Sequence, residues 1–176
     1  MVGTHSVGKT TLINAIQHPH KISEIARKHL IKNIKPSELS AVNRVIFQNQ
    51  YWHLQIAEEY THKERGFLSD RSALDIIAYS IGFFKDSQIE QLKKEVVGRY
   101  DVLVYIPIEF PLKDDGVRSS NKEYQKLINT NIQQLIQWLA ENDENVKMRT
   151  LTGTVEQRIK QFNLFIEIID NSMKEL

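Results

Sequence analysis

The chain has 176 residues, 41% of them hydrophobic and 26% charged, enough for one domain with a sizeable core. Its net charge of +1 gives no basic field for sequence-independent nucleic-acid binding, and no run approaches the roughly 20 apolar residues that span a bilayer. With no cysteine, disulfides and thiolate chemistry are excluded, and no charged-then-apolar leader marks the N-terminus, so a cytoplasmic protein without nucleic-acid or membrane partners is expected.

In chain order, Gly3 to Lys9 read as a loop that opens a helix from about Gly8 to Gln17, with Leu12, Ile13 and Ile16 on one side and Pro19 closing it. His20 to Ser23 suits a short strand. A helix through Ile25, Ala26, His29 and Leu30 ends before Pro36. Ser37 or Ser40 can cap a long helix to about Lys63, with Val42, Val45, Ile46, Asn49, Trp52 and Ile56 along one face. Gly66 to Asp70 reads as a short buried strand ending in an acid, followed by a helix carrying Leu74, Ile77, Ala78 and Ile81 and another from about Ser87 to Val97. Asp101 to Ile106 is the clearest strand. Pro107 to Asn121 is a polar loop, Tyr124 to Leu139 an amphipathic helix, Val146 to Leu151 a last strand, and Val155 to Ile169 a final helix.

Strands separated by helices, with no repeat and no linker, predict a single domain over 1–176. Its fold class is α/β, a P-loop NTPase three-layer α/β/α arrangement with a parallel sheet. Ligands in such sheets sit at the carboxyl ends of the strands, which gathers Gly3–Thr10, Asp70 and the loop after Ile106 at one edge. Only Met1 and Val2 precede Gly3, where a strand of about five apolar residues normally leads in. The first strand is therefore lost with a truncated or misassigned start, or reduced to a stub. Impaired stability or a repaired arrangement is expected, because the neighbouring strands would carry unpaired backbone groups.

Gly3-Thr4-His5-Ser6-Val7-Gly8-Lys9-Thr10 fits GxxxxGK[ST] in full. In that pattern glycines let successive N–H groups converge on phosphate oxygens, the lysine serves the β- and γ-phosphates, and the hydroxyl residue serves Mg²⁺. Gly3 to Thr10, with the adjoining Thr11, are thus the nucleotide-binding candidates, with ATP and Mg²⁺ as the implied donor and metal. Asp70 is expected to join Thr10 at the metal or to orient an acceptor, and Arg71 to neutralise a transferring phosphoryl group; the plain alternative makes Asp70 a helix N-cap. Glu24 and Arg27 are candidates for the acceptor side, against an ordinary i,i+3 ion pair; Asp75 is a substrate-side candidate or a partner of Arg71. Arg118, in the polar run Lys113 to Arg118, suits a lid, against a plain surface loop. Thr152-Gly153-Thr154 either passes beside the purine or is a simple N-cap turn, and Tyr51-Trp52 is read as packing before base stacking. The six histidines lack any HExxH or paired-cysteine spacing and are read as solvated or capping groups, not as a zinc site.

The segments GTHSVGKTTL, SEIAR, FLSDRSALDIIAYS, DDGVRSSN and LTGTVEQRI, in this order from Gly3 to about Ile169, resemble the P-loop nucleoside/nucleotide kinase-like family grouped as an AAA domain. That family includes the ribosylnicotinamide kinase domain of the bifunctional NAD-biosynthesis regulator. The DRS segment with Asp75 and Tyr79 is also similar to thymidylate and deoxynucleoside kinases. The resemblance implies ATP and Mg²⁺, with Lys9 and Thr10 on the donor and Asp70 and Arg71 at the reacting centre. It also implies Arg118 in a lid, Glu24 and Arg27 toward the acceptor, and a nucleoside, nucleotide or ribosylnicotinamide-like acceptor. A nucleotide-dependent regulatory ATPase without a small-molecule acceptor is the alternative. A GTPase would want Asn-Lys-x-Asp, and Asn121-Lys122-Glu123-Tyr124 lacks the acid.

Overall fold

The computed structural model describes residues 1–26, 28, 39–111 and 121–174. Helix α1 (Lys9–Ala15) is followed by strand β1 (Lys21–Ile22), the long α2 (Ala41–His62) and a single 3₁₀ turn. Then come β2 (Leu68–Ser69), α3 (Ala73–Ser80), α4 (Asp86–Val96), β3 (Val102–Tyr105), α5 (Lys122–Asn142), β4 (Lys147–Thr150) and α6 (Val155–Lys174). The expected helix from Ile25 to Pro36 falls largely outside the described residues, as do Arg27 and the loop segment bearing Arg118. No helix among the described residues is long and apolar enough to cross a membrane.

The strands form two parallel pairs, β1 with β2 and β3 with β4. Met1 and Val2 join them. Val2 N–H donates to the Val104 carbonyl at 2.8 Å and its carbonyl accepts from Ile106 N–H at 2.9 Å, while the Met1 ammonium donates to the Ser69 carbonyl at 2.7 Å. The line-up is therefore β1, β2, Met1–Val2, β3, β4, and two residues do the bridging that a full central strand would do. On the amino side of Met1 lies a cleft of about 1110 Å³, lined among others by Phe67, Ser69, Val102 and Val104.

Alternation along this stub and β3 builds two cores. Val2 and Leu103 point into the larger one, with Ile22 of β1 and with Phe47, Trp52, Leu74, Ile77 and Ile132 from the helices on one face. Met1, Val104 and Ile106 point into the smaller one, with Leu12, Ile13 and Leu151 and the flank of α6 on the other. This is the expected three-layer α/β/α arrangement. Helix α3 lies central in the larger layer, its residues buried nearly all round.

One face assignment needs correcting. Val42 and Ile46 were expected on the inner face of α2 yet are exposed, and the buried side carries Phe47, Tyr51, Gln55 and Glu59 at i,i+4 spacing. Apolarity misdirects here because two buried polar residues hold that side. Gln55 Nε2 donates to Glu59 Oε1 (2.9 Å) and Ser69 Oγ (3.1 Å), and Glu59 Oε1 accepts from the Tyr100 hydroxyl at 2.7 Å. Leu127 of α5 is likewise exposed. Tyr51 and Trp52 pack into the core, the reading preferred to base stacking.

Candidate active site

The loop from Gly3 to Gly8 leaves the stub and turns into α1. At Gly3 any Cβ would stand 2.6 Å from the Ile106 carbonyl oxygen, closer than real Cβ atoms approach, so only glycine lets the loop pass β3. Gly8 (φ 92°) caps α1 in the left-handed region, and Ser6 (φ 60°) shares it, a sequence of backbone turns that brings successive amides to one side.

Every side of the loop is held from elsewhere. Asp75 Oδ1 accepts from Gly3 N–H at 3.1 Å, the Tyr79 hydroxyl accepts from His5 N–H at 3.1 Å, Gln125 Nε2 donates to the His5 carbonyl at 2.8 Å, and Arg158 Nη1 donates to the Val7 carbonyl at 2.7 Å. Lys9 is buried, its ammonium folded back on the carbonyls of Gly3 and, at 2.6 Å, Thr4. Thr11 is exposed beside it.

At the loop's far end Thr10 Oγ1 donates to Asp70 Oδ2 at 2.7 Å. Asp70 is not the N-cap of the following helix: Ser72 is, in a reciprocal capping box with Asp75. The acid at the end of β2 is thus turned toward the phosphate loop. A hydroxyl and a carboxylate converging on one point are the hard oxygen donors that a small divalent cation with phosphate and water ligands takes, so the residues fit magnesium.

Next to Asp70, Arg71 is 5% exposed and grips Glu24 through both Nε (3.2 Å) and Nη2 (3.0 Å), with Asp75 Oδ1 3.5 Å from Nη1 and the Tyr79 ring 5.6 Å away. Burial alone would depress the guanidinium's pKa, but Glu24, then Tyr79, Tyr51 and Asp75, outweigh it and hold it well above its ordinary value. Arg71 therefore stays charged. Asp75 Oδ1 serves Gly3 and Arg71 and Oδ2 serves Ser72, so the carboxylate pairs with Arg71 and braces the loop. Glu24 bonds across to α3's lead-in, and Arg27, its companion among the acceptor-side candidates, lies outside the described residues.

Thr10, Asp70, Glu24, Lys21 and Lys28 line one pocket of about 350 Å³. Thr154 caps α6, exchanging bonds with Gln157, and Gly153 N–H donates to Glu109 Oε2 at 2.9 Å.

A family model described as an AAA domain matches residues 1–158. The chain belongs to this AAA-domain family. It is a nucleotide-binding P-loop protein of α/β type. A search of curated proteins finds no match.

Tyr79, Gln125 and Arg158, outside the phosphate-loop motif, also hold the loop. Tyr79 lies at i+4 from Asp75 and i+8 from Arg71, so helical spacing alone could have put it on their side of α3. Gln125 and Arg158 stand 120 and 151 residues from the backbone groups they hold, and no local signal foretells them.

Proposed function

We propose that this protein is a small ATP-dependent kinase, transferring the γ-phosphoryl group to a hydroxyl or phosphate of a nucleoside-like acceptor, ribosylnicotinamide included. The observation that carries this reading is the 2.7 Å contact of Thr10 with Asp70 at the mouth of a pocket whose other wall holds Glu24. A phosphate loop alone suits any nucleotide-binding protein. An acid shared between the loop and a neighbouring open pocket of small-molecule size suits transfer to a second substrate.

In this reading the loop amides and Lys9 bind the donor's phosphates, Lys9 exchanging the Gly3 and Thr4 carbonyls for them. Thr10 and Asp70 hold Mg²⁺, which would supply charge neutralisation at the phosphates when bound. Arg71, locked by Glu24, lends fixed positive charge beside the reacting centre. Glu24 orients an acceptor hydroxyl or, in exchange for Arg71, accepts its proton. Arg27 and Arg118 complete the acceptor and lid sides as expected from the resemblance. Catalysis comes from positioning and charge stabilisation, without a covalent intermediate on the protein.

The test is a panel of nucleosides, nucleoside monophosphates and ribosylnicotinamide incubated with MgATP and read by ADP release and product mass. Turnover with one acceptor, abolished by Lys9→Ala, is expected. Tight nucleotide binding with no acceptor-dependent ADP anywhere in the panel points instead to a regulatory switch.

A further inference from the structure

Arg158 is the bulkiest of the fully buried side chains, although it sits in the first turn of a helix whose far end is exposed. Its Nη1 holds the Val7 carbonyl at 2.7 Å, its Nη2 holds Glu109 Oε2 at 2.6 Å, and its Nε is buried with no hydrogen-bond partner among the described residues. The Phe110 ring covers it at 5.3 Å. The same Glu109 oxygen accepts from Gly153 N–H at 2.9 Å. A buried guanidinium is costly unless well paired, and this one bonds the phosphate loop and the chain leaving β3 directly, while Glu109 bonds the turn between β4 and α6.

Peptide geometry gives the contact with Val7 a directional consequence. In a trans peptide unit the carbonyl and the following N–H point opposite ways. Pulling the Val7 carbonyl outward toward Arg158 therefore turns the Gly8 N–H inward, to the side on which an anion would lie. Gln125 does the same for the unit joining His5 and Ser6 by holding the His5 carbonyl at 2.8 Å. The seat is tight: an added Cβ on Gly8 would stand 3.2 Å from Arg158 Nη1.

We propose that Arg158 and Glu109 are a positioning pair for the nucleotide: Arg158 aims the Gly8 amide at the phosphates, and Glu109, itself tied to the Gly153 turn, holds Arg158 in that pose. This rests on the nucleotide site proposed above, and neither residue touches the reacting atoms.

The test uses the full chain with Arg158→Met, Arg158→Lys and Glu109→Ala, titrated calorimetrically with MgATP and with magnesium tripolyphosphate well below each variant's Tm. Loss of a hydrogen bond to a charged donor predicts that Arg158→Met weakens both ligands about tenfold or more. Arg158→Lys should recover part of that loss. Glu109→Ala, which removes the partner of Nη2 and leaves Val7 to Nη1, should weaken both ligands alike and by less than Arg158→Met. Variants that melt earlier but bind both ligands like the unaltered chain would reduce the pair to a structural contact and overturn the proposal. Unchanged binding of both ligands by Glu109→Ala alone would overturn the part given to Glu109. If the unaltered chain binds neither ligand, the nucleotide reading itself fails, a result distinct from the other two.

Discussion

Thr10 and Asp70 are 60 residues apart in the chain and 2.7 Å apart in space. Asp70→Asn keeps an oxygen for the Thr10 hydroxyl but removes the charge that would face magnesium. In the acceptor-dependent assay it should lower kcat by about 10²–10³, the scale of losing one preorganised electrostatic contact, and demand more magnesium for half-maximal rate. A change confined to the acceptor KM would count against the metal role. A different kind of residue, Glu59, is buried under Tyr100, Gln55 and Arg99, with Arg99 Nη1 3.3 Å from its second oxygen. Burial raises its pKa despite those donors. A raised carboxyl binds its proton more tightly in the folded than in the unfolded state, so this group's contribution is fullest below the ordinary carboxylate pKa and is lost as pH rises through the folded value. Glu59→Leu strands the Arg99 charge and the Tyr100 hydroxyl, and urea unfolding should register a loss of about 3–5 kcal/mol.

At the level of elements, the stub formed by Met1 and Val2 is the weakest joint in the sheet. Its terminal ammonium is buried, and burial lowers its pKa below 8.0, more than the nearby Asp75 and Asp70 raise it. A depressed amine pKa means that the unfolded chain binds the proton more readily. The stability contributed by this group is therefore fully present above about pH 8 and falls as pH drops through the folded value. Acetylating Met1 retains an N–H for Ser69 and removes the charge. Melting curves from pH 6 to pH 9 should show the acetylated chain less dependent on pH than the free amine. The cleft on the amino side of Met1 leads to a companion prediction. Its lining includes residues of β2 and β3 together with apolar residues of α6, so an apolar extension of about five residues, in strand conformation, should raise Tm. A Gly-Ser extension of equal length should not, and equal Tm values would show that the cleft does not take a strand.

At the scale of the whole molecule, two half-sheets and two cores meet at the stub and the phosphate loop that follows it. A ligand seated on that loop should therefore stabilise both halves together. By mass action, MgATP at a hundred times its dissociation constant adds about 2.7 kcal/mol. Hydrogen exchange should then slow at Val2 and Ile106 as well as in the loop; protection limited to the loop would mean that the halves move independently.

The parts of this protein that depend on neighbours in the chain were legible from the sequence. Gly3, Gly8, Lys9 and Thr10 must follow one another to curl a loop into a helix. Apolar spacing at 3.6 or 2 residues marked the order of helices and strands, and the position of Asp70 at a strand end put it at the loop's edge. What the sequence could not decide was settled by distant partners. The burial of Gln55 and Glu59 shifted the inner face of α2 away from Val42 and Ile46 while keeping Trp52, because hydrogen bonds supplied by Ser69 and Tyr100 make a polar inner face tolerable. Asp75 became a brace because Gly3 offers it an amide, and Arg158 and Gln125 reach the loop from helices far along the chain. Local pattern is fixed by short-range sterics and periodicity. The use of a polar side chain is fixed by which donor or acceptor folding brings within 3 Å, and only the tertiary structure determines that.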